Sequence, residues 1–487
     1  MAFIDGTVVN VALPAIQRAL GGTVIDMQWV VEGYALFLSA LILAGGAMGD
    51  VFGRRRMFLA GVTLFAIASA GCGLAANIRE LVIARAVQGF GAAFLVPGSL
   101  SIISASFGGN ERGRAIGTWS GFTAIATAAG PVLGGWLIEH ASWRWAFFIN
   151  APIAAAVILF SLLRVPESKA ETHSGVDWPG ALIVTAGLAG VTYGFIESAA
   201  LGWSNPDVWG SLAAGSVLLF VFFYFEAHTP FPMVPLDLFR SNNFTGANLL
   251  TFFLYAALGI FFFLFPLNLI QVQHYSATIT GAAALPFILL MFLLSRWSGG
   301  LVDRFGAKRP LIVGPLIAAV GFLLFAFPSV GGAYWTTFFP GFVVLGLGMA
   351  VSVAPLTTVV MGAVDQSHAG TASGINNAVA RIAGLLAVAI LGMVMVDAFS
   401  HYMNAGLNQL NIPSDALRDL QSNVARLAAV ALPKDLDPGT AAQLKTLIDR
   451  SFVFGFRLIM LVCAGLSLMS SGFAWRMIQA HTNPDRV

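Results

Sequence analysis

Residues 45–58 read GGAMGDVFGRRRMF, and residues 298–311 read SGGLVDRFGAKRPL. Gly46, Asp50, Gly53 and Arg55 of the first match Gly299, Asp303, Gly306 and Lys308 of the second at the same spacing. Each stretch joins two apolar segments. The glycines let two helix ends turn sharply, and each aspartate can pair with the neighbouring cations, Arg54 included, or with a helix N-terminus. Ordinary basic loops between membrane helices require no such repeat. A repeated loop implies two homologous halves, the arrangement of secondary transporters whose site lies between them.

The surrounding sequence fits. The chain has 487 residues, 57% hydrophobic and 10% charged, with a mean hydropathy of +0.82. A soluble domain carries roughly 25% charged residues. Stretches of the roughly 20 apolar residues that cross a bilayer recur along nearly the whole length, and we read fourteen of them, from 1–17 to 451–478. The expected class is an all-α polytopic membrane protein. The repeated loops follow segments 2 and 10, eight helices apart rather than six, so two extra helices must lie between two six-helix bundles. The expected division is 1–164 for the first bundle, 165–243 for a linker with inserted helices 7 and 8, and 244–487 for the second.

An even number of spans puts both termini on one side, and basic residues choose the side. With cytoplasmic termini, thirteen Lys and Arg fall in inner loops and the tail, against Arg18, Arg79 and Arg144 in short outer loops. The long outer segment 398–450 adds five, but long loops translocate largely regardless of charge. Two pieces of it, SDALRDLQSNVARLAAVAL and TAAQLKTLIDR, have helical apolar spacing with turn residues between them. They predict two short amphipathic helices on the outer surface.

Titratable residues inside the apolar stretches are few. Asp5 lies in the first, and intramembrane acids face a cavity or a partner. Burial favours the neutral acid and a nearby cation the carboxylate, so a balanced site can trade a proton between conformations; a structural cap or packing acid is the plainer reading. Arg85 lies roughly 9 Å below the outer surface at 1.5 Å per residue, Glu32 at a similar depth, and Asp5 about 18 Å down. Depth alone favours Glu32 as the partner of Arg85; the alternatives are a structural ion pair and a second protonatable or cation-attracting site in the substrate cavity. Arg381 sits near the middle of segment 13, with Asn376 and Asn377 as polar neighbours. Glu197 and Arg457, near outer helix ends, can snorkel. Gly130, Pro131, Gly134 and Gly135 late in segment 5 allow bending and close packing. Residues 1–17 span only about 25 Å of a roughly 30 Å hydrocarbon core, so the first helix is expected to extend upstream of Met1.

Several classes drop out. A P-loop needs a glycine-rich turn ending in Lys and Ser or Thr; only Lys445 precedes Thr, without the glycines. ATP hydrolysis within this chain is then excluded as the energy source, and no cofactor is expected. The seven histidines lie in loops or at helix ends, and no nucleophile–base set emerges for an enzyme. Cys72 and Cys463 fall in apolar segments and imply no disulfide framework.

With the loop pair, IDGTVVNVALP (4–14), ARAVQGFGAAF (84–94), GPVLGG (130–135), WRWAFFINAPI (143–153) and GTASGINNAVARIAG (370–384) make the chain resemble the major facilitator superfamily. Specifically it resembles the fourteen-helix drug:H+ antiporter branch of the EmrB/QacA type, over essentially its whole length. The resemblance implies a proton-coupled exporter in the plasma (inner) membrane, functional as a monomer. It implies proton coupling at Asp5 with Arg85, and a role for the GPVLGG stretch in opening between the halves. Ala126 stands where that stretch's usual further glycine would be. Expected partners are the bilayer, protons and a hydrophobic, cationic small molecule in a cavity of aromatic and small residues, with no nucleic acid. The rivals are an exporter of a lipid or endogenous metabolite, with Arg381 meeting an anionic group, and a non-transporting membrane sensor.

Overall fold

The computed structural model describes residues 1–479 except 108, 170–174, 231, 365–368, 408–409, 411, 414–416, 419, 421–422 and 434–435. Among these residues there is no strand. The long helices are α1 (Ala2–Leu20), α2 (Val24–Phe52), α3 (Arg54–Leu74), α4 (Ile78–Ser106), α5 (Gly109–His140) and α6 (Trp145–Arg164). After them come α7 (Trp178–Leu201), α8 (Pro206–Glu226), α9 (Asn242–Val272) and α10, in two pieces (Ala277–Ala283 and Leu285–Gly299). The last four are α11 (Lys308–Ala326), α12 (Phe339–Gly362), α13 (Ala369–Leu407) and α14 (Pro438–Met477). Twelve are long and apolar enough to cross a membrane; α1 and α5 are the other two.

Local sequence sets the boundaries. Gly21 ends α1 in the left-handed conformation (φ 67°), which glycine adopts without a Cβ penalty. Two residues on, Thr23 and Asp26 form a reciprocal capping box that starts α2, satisfying donors left free at a helix start. The side chains of Asn77, Asp177, Asn205, Ser241 and Asp437 cap α4, α7, α8, α9 and α14 by accepting from backbone N–H groups of the first turn.

Packing repeats with an offset of eight helices. The pairs α1–α5, α2–α4, α3–α4 and α3–α6 recur as α9–α13, α10–α12, α11–α12 and α11–α14. The halves meet along two seams, α5–α10 and α2–α13, which exchange under that offset. The inserted pair breaks the symmetry: α7 packs on both α2 and α13, and α8 rests chiefly on α7. Only 22% of the apolar window of α8 is buried, against 67% for α9, so α8 presents most of its surface to lipid.

One expectation is corrected. TAAQLKTLIDR is not a separate amphipathic helix but the first turns of α14, which starts at Pro438 and runs 40 residues. Asp437 caps it, proline is pre-organised for the first turn, and no breaker separates Arg450 from Ser451. Likewise α13 continues to Leu407. Of the other expected helix, 414–416, 419 and 421–422 lie outside the described residues, and 424–429 form a 3-10 turn.

Candidate functional site

The side chain of Asp5 is fully buried, and each of its oxygens has a donor. Oδ2 accepts from Arg85 Nη1 at 2.6 Å, and Oδ1 from Gln88 Nε2 at 2.8 Å and Asn150 Nδ2 at 3.1 Å. The same Arg85 nitrogen donates to Gln88 Oε1 at 2.6 Å, and Arg85 Nε to the Val30 carbonyl at 3.0 Å. The guanidinium lies 4.3 Å from the Tyr34 ring centroid, a cation–π contact. Asn150 also donates to Ser69 Oγ at 3.0 Å, and Ser69 to the Phe147 carbonyl at 2.9 Å. Helices α1, α2, α3, α4 and α6 are thus tied at one buried point.

A buried ion pair is tolerable only when further hydrogen bonds satisfy both ions, and Gln88 and Asn150 do so here. Sequence reasoning missed them. The signal for Gln88 was its position one turn after Arg85 on the same face of α4; for Asn150 it was a lone amide inside an apolar helix.

The depth argument for Glu32 as the partner of Arg85 fails. Depth counted from helix ends assumes that those ends are level, whereas Arg85 anchors on Val30 and reaches across to α1. Glu32 lies elsewhere on α2, 1% exposed, and its Oε2 has no hydrogen-bond partner.

In the second half, Asn376 donates to Thr251 Oγ1 at 2.7 Å and Asn248 Oδ1 at 3.1 Å, binding α13 to α9. Asn377 turns back to its own helix at Ser373. Arg381 is within electrostatic reach of Tyr34, and no acid among the described residues pairs with it. Glu197 and Arg457 do not merely snorkel: Glu197 accepts from Trp29 Nε1 at 2.8 Å, and Arg457 donates to the Phe327 and Pro328 carbonyls.

The GPVLGG stretch alternates between two neighbours. A Cβ at Gly130 or Gly134 would meet Thr7 or Val8 of α1. One at Gly135 would strike the Ala277 carbonyl of α10, and one at Gly281 would strike the Pro131 carbonyl in return. Glycine is therefore required where α5 crosses α10, and the crossing seals the end of the molecule opposite the repeated loops. Gln271 Nε2 to Gln17 Oε1 (2.8 Å), Gln17 Nε2 to the Arg426 carbonyl (3.2 Å) and Thr278 Oγ1 to Glu139 Oε2 close the same end.

The repeated loops share a conformation: Gly53 has φ 109° and Gly306 φ 70°. Asp50 pairs with Arg54 at 2.7 Å. Glu167, which the sequence reading did not single out, accepts from the backbone N–H groups of Arg55 (3.0 Å) and Arg56 (3.2 Å), an anion at the α3 N-terminus where the helix dipole favours it. Arg55 Nη1 donates to the Val165 carbonyl at 2.9 Å. Gly46 lies against Pro97, while Gly299 faces open space. Lys308 opens α11, and the side chain of Asp303 lies outside the described residues.

Two like helical halves, one tied by a buried ion network and the two joined by close contacts at the end opposite the repeated loops, define a polytopic membrane transporter rather than an enzyme. Residues 1–388 match the Major Facilitator Superfamily, and the chain belongs to that family. It is 32% identical to the multidrug resistance protein Stp of Mycobacterium tuberculosis, over 99% of this chain and 91% of that one. It is 30% identical to the tetracenomycin C resistance and export protein of Streptomyces glaucescens, over 97% and 88%. Its fold matches a bacterial homologue of the human lysosomal transporter Spinster, solved inward-facing and unoccupied, with a TM-score of 0.65 at 18% identity over 99% and 96% of the two chains.

Proposed function

We propose that this protein is a proton-coupled exporter of hydrophobic, cationic small molecules, a drug:H+ antiporter of the fourteen-helix EmrB/QacA type. It works by alternating access in the plasma membrane with both termini cytoplasmic, as a monomer and without a cofactor. Residues 1–164 and 244–487 are the rocking bundles, and 165–243 carries the inserted pair. The relatives' names, resistance and export proteins, support the substrate class, and the count of long helices supports the branch.

The observation that carries the reading is the buried Asp5–Arg85 pair at 2.6 Å, with Gln88 and Asn150 donating to the carboxylate. Protonating Asp5 removes the charge that holds Arg85, Gln88 and Asn150 together, and the freed guanidinium then favours a different packing of α1 against α4. Such a shift between discrete arrangements is what a ligand-driven transporter requires. The carboxylate and the nearby aromatic faces, Tyr34 among them, both attract cations.

The test is ethidium efflux from energised cells with and without an uncoupler, for the protein and its Asp5→Asn variant at equal expression. Uncoupler-sensitive efflux lost in the variant is the expected result; efflux that survives both treatments would sink the proposal. Arg381, without an acidic partner beside Tyr34, favours a second reading in which an anionic lipid or metabolite is exported. Competition of an anionic amphiphile against ethidium separates the two.

A further inference from the structure

The apolar stretch of α14 lies between Arg450 and Arg476, and Arg457 is the one charged residue inside it. That stretch is long enough for the roughly 20 residues that cross a bilayer, so Arg450 stands at the membrane boundary opposite the repeated loops. Residues 450, 454, 457, 458 and 461 share one face of the helix by their three- and four-residue spacing. The apolar members are exposed, Phe454 at 42%, Leu458 at 38% and Leu461 at 52%. This face therefore descends from a basic end along an apolar strip open to lipid.

At the basic end it borders a groove. Arg450, Phe454 and Arg457 line a cavity of about 490 Å³ with Tyr402 of α13 and with Ser329 and Val330 of the α11–α12 loop. Tyr402 and Arg450 also line a second cavity, of about 630 Å³, between α13 and α14. Tyr402 stacks on Phe454 at 5.0 Å between ring centroids, which gives the groove an aromatic wall. Its polar groups are donors in excess. Asp449, which also lines the first cavity, has its charge matched by Lys445 at 2.7 Å. Arg457 spends Nε and Nη2 on the carbonyls of Phe327 and Pro328. Arg450 is exposed, and among the described residues it makes no hydrogen bond or ion pair, nor does the Tyr402 hydroxyl make a hydrogen bond. Neither arginine meets a carboxylate there. A ligand that fits must bring acceptors and negative charge. The guanidinium fork matches phosphate oxygens, and basic pockets between membrane helices hold phospholipid headgroups.

We propose that this groove binds an anionic phospholipid of the leaflet opposite the repeated loops. Arg450, Arg457 and the Tyr402 hydroxyl hold its phosphate, and an acyl chain lies along Phe454, Leu458 and Leu461. The headgroup bridges α13, α14 and the α11–α12 loop. A free phosphate offers the same anion without the chain; the apolar strip below the arginines favours the lipid. Binding needs only the membrane, so it stands or falls apart from the exporter reading.

The test is native mass spectrometry and thermal unfolding of the purified full chain in detergent, supplied with phosphatidylglycerol, phosphatidylcholine or inorganic phosphate. Wild type should retain phosphatidylglycerol in preference to phosphatidylcholine and unfold at a higher temperature with it, while inorganic phosphate leaves that temperature in place. Arg450→Gln removes no hydrogen bond within the described residues, so the variant should fold as wild type does. It should bind phosphatidylglycerol roughly ten-fold more weakly, the loss of one charge-assisted hydrogen bond. Arg476→Gln deletes the same charge at the other end of α14 and should keep the wild-type preference. Equal retention of the two lipids by wild type, a preference that survives Arg450→Gln, or one lost equally in Arg476→Gln overturns the proposal. An equal rise in unfolding temperature with inorganic phosphate overturns the lipid as the occupant.

Discussion

Among the helices that hold the ion network in the first half, α1, α3 and α4 have counterparts α9, α11 and α12 in the second. Where those three counterparts meet, the contact is aromatic. Phe261 lies 4.7 Å from Phe325, Phe325 5.0 Å from Phe342, and Phe342 4.9 Å from Phe265, ring to ring. One architecture thus closes its two centres in two ways, one by charge and hydrogen bonds, the other by dry aromatic contact. Aromatic pairs contribute about 0.5–1.5 kcal/mol each beyond their burial and carry no proton that could be lost. Under the proposed proton coupling, the first half is the one that changes state with protonation, and the second keeps its shape.

The sharpest way to break this contrast is Asp5→Asn. It leaves Arg85 buried without its counter-charge, a loss of about 3–5 kcal/mol when a buried pair is broken. Thermal unfolding in detergent should fall well below wild type and uncoupler-sensitive efflux should vanish. Adding Arg85→Gln should restore much of the stability and none of the transport. Wild-type stability and efflux in the single variant would show that the pair does no work. Phe261→Ala comes next, costing about 3–5 kcal/mol as a cavity in a packed core. Unfolding should occur at a lower temperature, while the pH profile of the remaining efflux stays that of wild type. A displaced profile would mean the aromatic centre shares in the coupling.

Much of the fold was legible because its signals are periodic and repeated. Apolar spans, the positive-φ glycines at 53 and 306, and an exact loop repeat need no knowledge of tertiary contacts. The helix pairing of Arg85 was not legible from depth, because depth along one helix says nothing of how far the next has slid. Gln88 and Asn150 were harder still: an amide in an apolar helix is visible in sequence, but its partner is not. The α14 extension was missed for the reverse reason. Its first turns read as a separate amphipathic helix, although Asp437 and Pro438 mark the start of one helix and no breaker follows before the last apolar span.

The seal between the halves offers a milder perturbation. Gly135→Ala places a methyl group against the Ala277 carbonyl, and overpacking of that kind costs about 1–3 kcal/mol. The cost falls only on the conformation in which α5 crosses α10 this closely. A cysteine at buried Gln17 should therefore become more reactive toward an impermeant thiol reagent in Gly135→Ala. Unchanged labelling would mean that the crossing does not control access.

The finest comparison uses two serines that each bridge the α3–α6 pair or its counterpart, α11–α14. Ser69 of α3 donates to the Phe147 carbonyl of α6 at 2.9 Å, and Ser471 of α14 donates to the Ile312 carbonyl of α11 at 2.9 Å. Each alanine variant gives up one hydrogen bond, about 1 kcal/mol, so both should lower thermal stability by similar small amounts. Their effects on transport should differ. Ser69 also accepts from Asn150, whose nitrogen reaches Asp5, so Ser69→Ala loosens a donor to the carboxylate and should alter the pH profile of efflux. Ser471 touches only packing, and Ser471→Ala should leave that profile in place. If both serines move the profile, or neither does, the two centres are not as different in kind as their residues make them.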